Sequence, residues 1–348
     1  MPPGTRSSDP SVIHEILGSV AVARCLHAVA ELGIADRLEE GPVTADELAA
    51  ATGAHARSLY RVMRMLATTG IFAEDEAGRF HLTPAAAVLR SGVEGSVRNR
   101  LRLAWQDLIW ATYGQLPYTV MTGEPAFDRA HGLPLFDYLA ENPEANAVFD
   151  KAMALISGPE DESVAASYNF GLHDVVVDVG GGRGGMLAAV LARHPTVQGI
   201  LFDQPQVVEE VDPGEVGPAG RCSIVGGDFF RFVPTGADAY VLKRIIHDWD
   251  DEPAARLLGR CAAAAQPDGR VLVVEAVIRP GNDPDPHKAQ DVGMMLLTRG
   301  RERTAEEFRI LFEASGLRLE RIIATREGTT LSILEGAPMT RQATRQRA

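Results

Sequence analysis

Residues 175–185 read Val-Val-Val-Asp-Val-Gly-Gly-Gly-Arg-Gly-Gly. The β-branched opening, Val175–Val179, has the pattern of a strand buried on both faces of a parallel sheet. Glycines follow at 180, 181, 182, 184 and 185, and Met186–Arg193 is apolar, Ala-rich and helical in pattern. Strand, glycine turn and helix together form a cradle for a nucleotide-type cofactor. Glycine lets the backbone approach a ligand closely, and a helix N-terminus aims its N–H groups at it. So many glycines in so short a stretch cost backbone entropy that a plain turn does not require. Asp203 lies 23 residues after Gly180, at the end of a second apolar strand, Gly199–Phe202. An acid in that position suits a ribose diol.

Two cofactors compete for this cradle. Gly180, Gly182 and Gly185 satisfy G-x-G-x-x-G, which admits a dinucleotide. Asp178 argues against it, because a pyrophosphate beside that carboxylate would meet like charge. S-adenosylmethionine (SAM) has no phosphate and carries a cationic amino group, so Asp178 favours SAM.

Around this centre the chain has 348 residues, enough for two domains and a sizeable core. A net charge of −13 disfavours nucleic acid as a main partner. No long uncharged apolar run is visible, so no membrane span is expected. Met1–Pro10 lacks the pattern of a secretory signal and reads as a disordered lead-in, and Met339–Ala348 as a fraying tail. Three distant cysteines, Cys25, Cys222 and Cys261, suit a reduced, cytoplasmic protein. No paired Cys/His spacing is present, so no metal site is expected.

Residues 11–40 are apolar at helical spacing, beyond what one core face needs, which suggests burial against a partner. Thr44-Ala-Asp-Glu47 is a capping box opening a second helix that Gly53 ends. A third helix spans 58–69, and Ile71–Leu82 reads as a hairpin, completing a winged helix. Such a module can read DNA, and Arg57, Arg61 and Arg64 stripe its third helix. The acids Glu74, Asp75 and Glu76 at the wing tip oppose that reading and favour protein contact. Residues 84–160 are largely helical and carry Trp105, Trp110, Phe136, Phe149 and Met153, a set that serves as core or as one wall of an apolar pocket.

From Val175 onward strands are expected at 175–179, 199–202, 222–225, 238–242, 271–275 and 330–334, with helices at 185–193, 205–211, 253–265 and 304–315. The fold class is α/β, a doubly wound Rossmann-like sheet behind a mostly helical N-terminal domain. Ligands of such sheets lie at the carboxyl ends of the strands. Asp203, Asp228 with Phe229, Lys243, His247 and Glu275 all fall there. Asp228 suits an adenine amino group, and Phe229 its ring. His247 titrates near neutrality and can take a proton from a hydroxyl, with Asp248, Glu275 or Glu302 to hold its tautomer.

Val177-Asp-Val-Gly-Gly-Gly182, Phe202-Asp-Gln-Pro205, Gly227-Asp-Phe-Phe230, His247-Asp-Trp-Asp-Asp251 and Glu302-Arg-Thr304 occur in this order. The chain resembles the plant caffeate-type and bacterial polyketide-type SAM-dependent O-methyltransferases over residues 12–336. The resemblance implies a homodimer joined through the winged-helix module, and a phenolic acceptor. It implies that Gly180, Asp203, Asp228, Phe229 and Lys243 hold SAM; with Asp178, Gly182, Gln204 and Trp249 they make up the expected SAM site. It implies that His247 is the base, flanked by Glu275 and Glu302, and that Phe149 and Met153 face the acceptor. Trp110, Asp291 and Met294, from the variable 100–160 and 286–300 segments, complete the expected acceptor wall. The domains expected are a dimerisation domain at 11–98, a helical linker and pocket wall at 99–164, and a methyltransferase domain at 165–338. N- or C-methylation, hydroxylation and a ligand-sensing DNA-binding regulator remain as alternatives. The plant enzymes' acceptor is not carried over.

Overall fold

A computed structural model of the chain describes residues 10–339 apart from 94, 105–106, 210 and 326–328. The expected lead-in (save Pro10), the expected tail (save Met339) and Trp105 lie outside the described residues. The chain forms two compact units that meet in sequence between Ala111 and Thr112.

The first unit opens with a helix over Ser11–Glu31. Gly33, at φ 64°, breaks the single helix expected to residue 40 and starts a second, Ile34–Arg37. Strand β1 (Val43–Thr44) leads into helix Ala45–Thr52 through the expected capping box. The Thr44 hydroxyl accepts from the Glu47 N–H at 3.3 Å, and the Glu47 carboxylate accepts from the Thr44 N–H at 2.9 Å. Helix Ala56–Thr68 follows, then β2 (Phe72–Glu74) and β3 (Arg79–Leu82), in an antiparallel sheet ordered β1-β3-β2. Leu48, Leu59, Met63, Leu66, Phe72 and Phe80 form the core of this winged helix. Asp75 ties the wing, accepting from the N–H groups of Ala77 and Arg79, each at 2.9 Å.

Helix Ser11–Glu31 leaves Ile13, Ile16, Leu17 and Val20 between 48% and 69% exposed. An 18-residue window of it has a mean hydropathy of 1.4, which makes the helix long and apolar enough, by length and composition, to cross a membrane. The expectation of no such segment rests on the lack of a long uncharged apolar run; His14, Glu15 and Arg24 interrupt this one without lowering the window's mean enough.

The second unit is built on β4 (Val175–Val179), β5 (Gln198–Asp203), β6 (Cys222–Gly226), β7 (Ala239–Lys243), β8 (Arg270–Ile278), β9 (Arg303–Thr304), β10 (Leu317–Ala324) and β11 (Leu331–Pro338). The sheet runs β10-β11-β8-β7-β4-β5-β6, with β9 against β8. Strands β4 to β8 are mutually parallel; β11 is antiparallel to both β8 and β10. Sequence reading misses β10 because it is an edge strand with mostly exposed side chains and charges at 318, 320 and 321. Alternate residues of β4 serve opposite faces: Val176 packs with Leu187 and Val241, Val177 and Val179 with Phe202 and Leu242. The chain goes from β4 outward through β5 to β6, then returns to β7 on the other side of β4. That reversal places a crevice at the carboxyl ends of β4 and β7.

Helix Pro143–Ser167 packs on the glycine-turn helix, Gly185–Arg193, and runs across the boundary expected at 164. Most of the expected linker is therefore part of the second unit. Helix Pro286–Leu297, capped by Asp285, stands in the stretch that was expected only as variable pocket wall. Thr44→Ala should lower stability by about 1 kcal/mol, the usual worth of such a cap. Calorimetric unfolding should show a lowered transition, and an unchanged one would mean that this box does not hold the helix.

Candidate active site

The glycine turn is shaped by its neighbours. Gly180, Gly182 and Gly184 take φ of 70°, 57° and 83°. A methyl group on Gly180 would lie 2.5 Å from Ile245 Cδ1, and one on Gly181 2.5 Å from Asp178 Oδ2. Asp203 clasps the turn: its Oδ2 accepts from the Gly182 N–H at 2.8 Å and its Oδ1 from the Gln204 N–H at 2.6 Å. Gln204 itself is exposed, its side chain bonded to Gln206.

Asp178 is 2% exposed, and its Oδ2 has no hydrogen-bond partner among the described residues. Burial, reinforced by the charge of Asp161, pushes its pKa up to about 7. An orphaned buried carboxylate beside a turn closed to side chains at Gly180, Gly181, Gly184 and Gly185 fits a cofactor that brings a cation and no phosphate, as SAM does.

Lys243, at the end of β7, is nearly buried and paired with Asp161, with Glu160 at 3.9 Å. Arg244 holds Glu160 through two bonds of 2.9 and 2.6 Å, and at φ 55° it is the only non-glycine residue of positive φ among those described. The Asp161 carboxylate lies over Gly185, where an added Cβ would be 2.6 Å from its Oδ2. Glu160, Asp161 and Arg244 went unnoticed in the sequence; their local pattern is that of an ordinary charged helix face and loop. Beyond β6, Asp228 is exposed and accepts from the Phe230 N–H at 2.8 Å. Half-buried Phe229 meets Phe230 and Trp249 edge-on, at 4.9 and 6.1 Å between ring centres.

His247 sits on a single turn, Ile246–Asp248, just after β7 and is buried. Its Nδ1 lies 2.8 Å from Glu302 Oε1 and 3.5 Å from Glu275 Oε2; its Nε2 is 3.8 Å from Asp248 Oδ1. Glu275, fully buried on β8, accepts from the backbone N–H groups of Ile246 at 2.9 Å and His247 at 3.2 Å. Burial alone would lower the imidazole's pKa, but the carboxylates of Glu275, Asp248 and Glu302 outweigh it and raise it to about 9. Burial raises Glu275 to about 7 against the pull of His247. Donor atoms of His247, Glu275 and Glu302 lie within 4.8 Å of one another, close enough to share a cation. The 2.8 Å contact between His247 Nδ1 and Glu302 Oε1 has the length of an N–H···O bond.

The turn is fixed from outside by Arg303, which is fully buried. It donates to the carbonyls of Ile246 at 3.2 Å and Trp249 at 2.9 Å, and to the Asp251 carboxylate at 2.8 and 3.0 Å. In the sequence Arg303 stands out only as the middle residue of Glu302-Arg-Thr304.

Of the expected acceptor wall, Phe149 and Met153 lie half-buried one turn apart on helix Pro143–Ser167. Met294 is half-buried on helix Pro286–Leu297. Asp291 on the same helix accepts from the Glu302 N–H at 2.8 Å, so its carboxylate supports the histidine centre. Gln290, unnoticed in the sequence, donates to Glu302 Oε1 at 2.7 Å. Trp110 belongs to the first unit, where Arg24 stacks on its ring at 5.1 Å; Phe136 is 42% exposed.

Residues 113–318 match the family model of an O-methyltransferase domain, and residues 14–92 that of an O-methyltransferase dimerisation domain. The chain is 40% identical to a phenazine O-methyltransferase of Lysobacter antibioticus, over 94% of this chain and 96% of the relative. Its structure resembles that of a mitomycin 7-O-methyltransferase, with a TM-score of 0.87 at 38% identity, over 94% of this chain and 97% of the other. It also resembles an O-methyltransferase from neocarzinostatin biosynthesis in complex with SAM and 2-hydroxy-5-methyl naphthoic acid. There the TM-score is 0.80 at 32% identity, over 91% of this chain and 96% of that one.

A methyl group on Gly300 would stand 1.8 Å from the His247 carbonyl oxygen and 2.5 Å from the Asp248 carbonyl carbon. Both are backbone atoms, so Gly300→Ala must displace the histidine turn. Turnover should fall about 10²-fold, the scale of a 1 Å misplacement, while SAM affinity by calorimetry changes little. Normal turnover in this variant would contradict the packing described.

Proposed function

The chain belongs to the SAM-dependent O-methyltransferase family that carries an N-terminal dimerisation domain, and on that premise we propose its reaction: methyl transfer to a phenolic hydroxyl of an aromatic natural product, with His247 as general base. The observation that carries this reading is a buried imidazole whose Nδ1 is engaged by Glu302, leaving Nε2 to take a proton. When bound, SAM supplies a methyl carbon made electrophilic by a cationic sulfonium.

A phenol has a pKa near 10. An imidazole raised toward that value takes the phenolic proton at little free-energy cost. Glu302 and Glu275 stabilise the imidazolium that forms and hold the ring in one orientation. Phe149, Met153 and Met294 supply the apolar wall, and Asp178 with the glycine turn binds the cofactor's amino acid end. Asp203 holds the turn and meets the ribose. The protein works as a homodimer in the cytoplasm. The dimerisation-domain match and the exposed apolar row on helix Ser11–Glu31 support the first, the three free cysteines the second.

His247→Ala should leave SAM affinity nearly unchanged and reduce kcat by roughly 10²–10⁴-fold at pH 7. His247 must be neutral to accept the proton. Wild-type kcat should therefore rise with pH as the imidazole deprotonates, with its acid limb at about 9 or somewhat lower once a cationic cofactor lies nearby. The variant's residual rate should follow ionisation of the phenol itself. Near-normal turnover by His247→Ala with an acceptor of high pKa would overturn the base assignment. A product heavier by one methyl, attached to nitrogen, would overturn the acceptor class.

A further inference from the structure

Glu302 is gripped at two points by adjacent residues of helix Pro286–Leu297. Asp291 Oδ1 accepts from its backbone N–H at 2.8 Å, and Gln290 Nε2 donates to its carboxylate at 2.7 Å. The oxygen that Gln290 reaches, Oε1, is also the one 2.8 Å from His247 Nδ1. The other oxygen, Oε2, is buried with no partner among the described residues. Two donors thus converge on one oxygen. With a carboxylate as partner, the amide must present its nitrogen.

We propose that Gln290 is a positioning residue that sets how tightly the His247–Glu302 pair holds its proton. The proposal rests on the reading of His247 as base. An N–H dipole aimed at Glu302 stabilises the form of the pair that carries the extra negative charge, which is the form with Nε2 free. That sign does not depend on how the proton is shared between the two groups, because the dipole favours the deprotonated pair in either case. The other charged groups facing the pair are Glu275 and Asp248. Arg244 acts on both of these acids and on Glu302 itself, and Asp291 is held on the Glu302 backbone. Among the groups hydrogen-bonded to the Glu302 carboxylate, Gln290 is the neutral donor that can be removed without removing a charge.

The test uses the full chain with SAM and a phenolic acceptor, comparing wild type with Gln290→Met and Gln290→Glu. Methionine keeps the volume and loses the donor; glutamate replaces the donor with an acid. The acid limb of kcat should move to higher pH by about half to one pH unit in Gln290→Met, and further in Gln290→Glu. Histidine labelled with carbon-13 should report the same order in the titration of the His247 resonance, assigned by its absence in His247→Ala. A Gln290 that merely filled space would leave both readouts of Gln290→Met at their wild-type positions. An unmoved His247 titration in Gln290→Met would overturn the proposal. If Gln290→Met does not fold, an unmoved Gln290→Glu overturns it alone. Failure of the base reading is separate: His247→Ala would then keep its turnover whatever the resonance does.

Discussion

A buried imidazole between buried carboxylates is the constraint on which the second unit depends. Removing a charge from water is expensive unless it is paired and hydrogen-bonded. Here the pairing comes from three separate places in the chain: His247 after β7, Glu275 on β8 and Glu302 before β9. They meet only if β7 and β8 lie side by side and in parallel register. Glu275 also accepts the two N–H groups that open the histidine turn, so one carboxylate fixes the backbone and the charge of the same residue. Arg303 closes the turn from behind, and Gly300 leaves it room. The arrangement crowds like charges and leaves Glu275 Oε2 and Glu302 Oε2 without a hydrogen-bond partner among the described residues, the balance expected where a pKa differs from its solution value.

The cofactor side is organised by acids as well. Asp178, Asp161 and Asp203 surround the glycine turn, and Lys243 answers only one of them closely. Asp203 is bonded to the turn itself, so it both shapes the cradle and belongs to its surface. Lys243, expected among the cofactor's ligands, has its ammonium paired with Asp161 and 3.9 Å from Glu160.

The glycine turn and the histidine were legible because their signals are local. Val175–Val179 followed by glycines is a contiguous pattern, and His247 follows a strand end whose position the alternation of strands and helices fixes. The capping box at Thr44 was legible for the same reason, since its two partners are three residues apart. Gln290, Asp161 and Arg244 were not legible. Each acts on a group at least twelve residues away, and nothing in its own neighbourhood distinguishes it from a polar surface residue. Strand β10 escaped because one of its edges is unpaired and its side chains are mostly solvated. Helix Pro286–Leu297 escaped because Gly293 and an extended apolar run blur its periodicity.

The order of strands in the sheet has a consequence for biosynthesis. Strand β11 lies between β8 and β10 and is buried along most of its length, yet it leaves the ribosome after both. While the chain is being made, β8 presents an open, apolar edge until the whole stretch from Ile278 to Leu331 has followed. Glu275 sits on that strand, beside Ser332 of the late arrival. The nascent chain therefore carries an incomplete sheet next to the acid that holds the histidine turn, and closure of that sheet is a late event in its maturation.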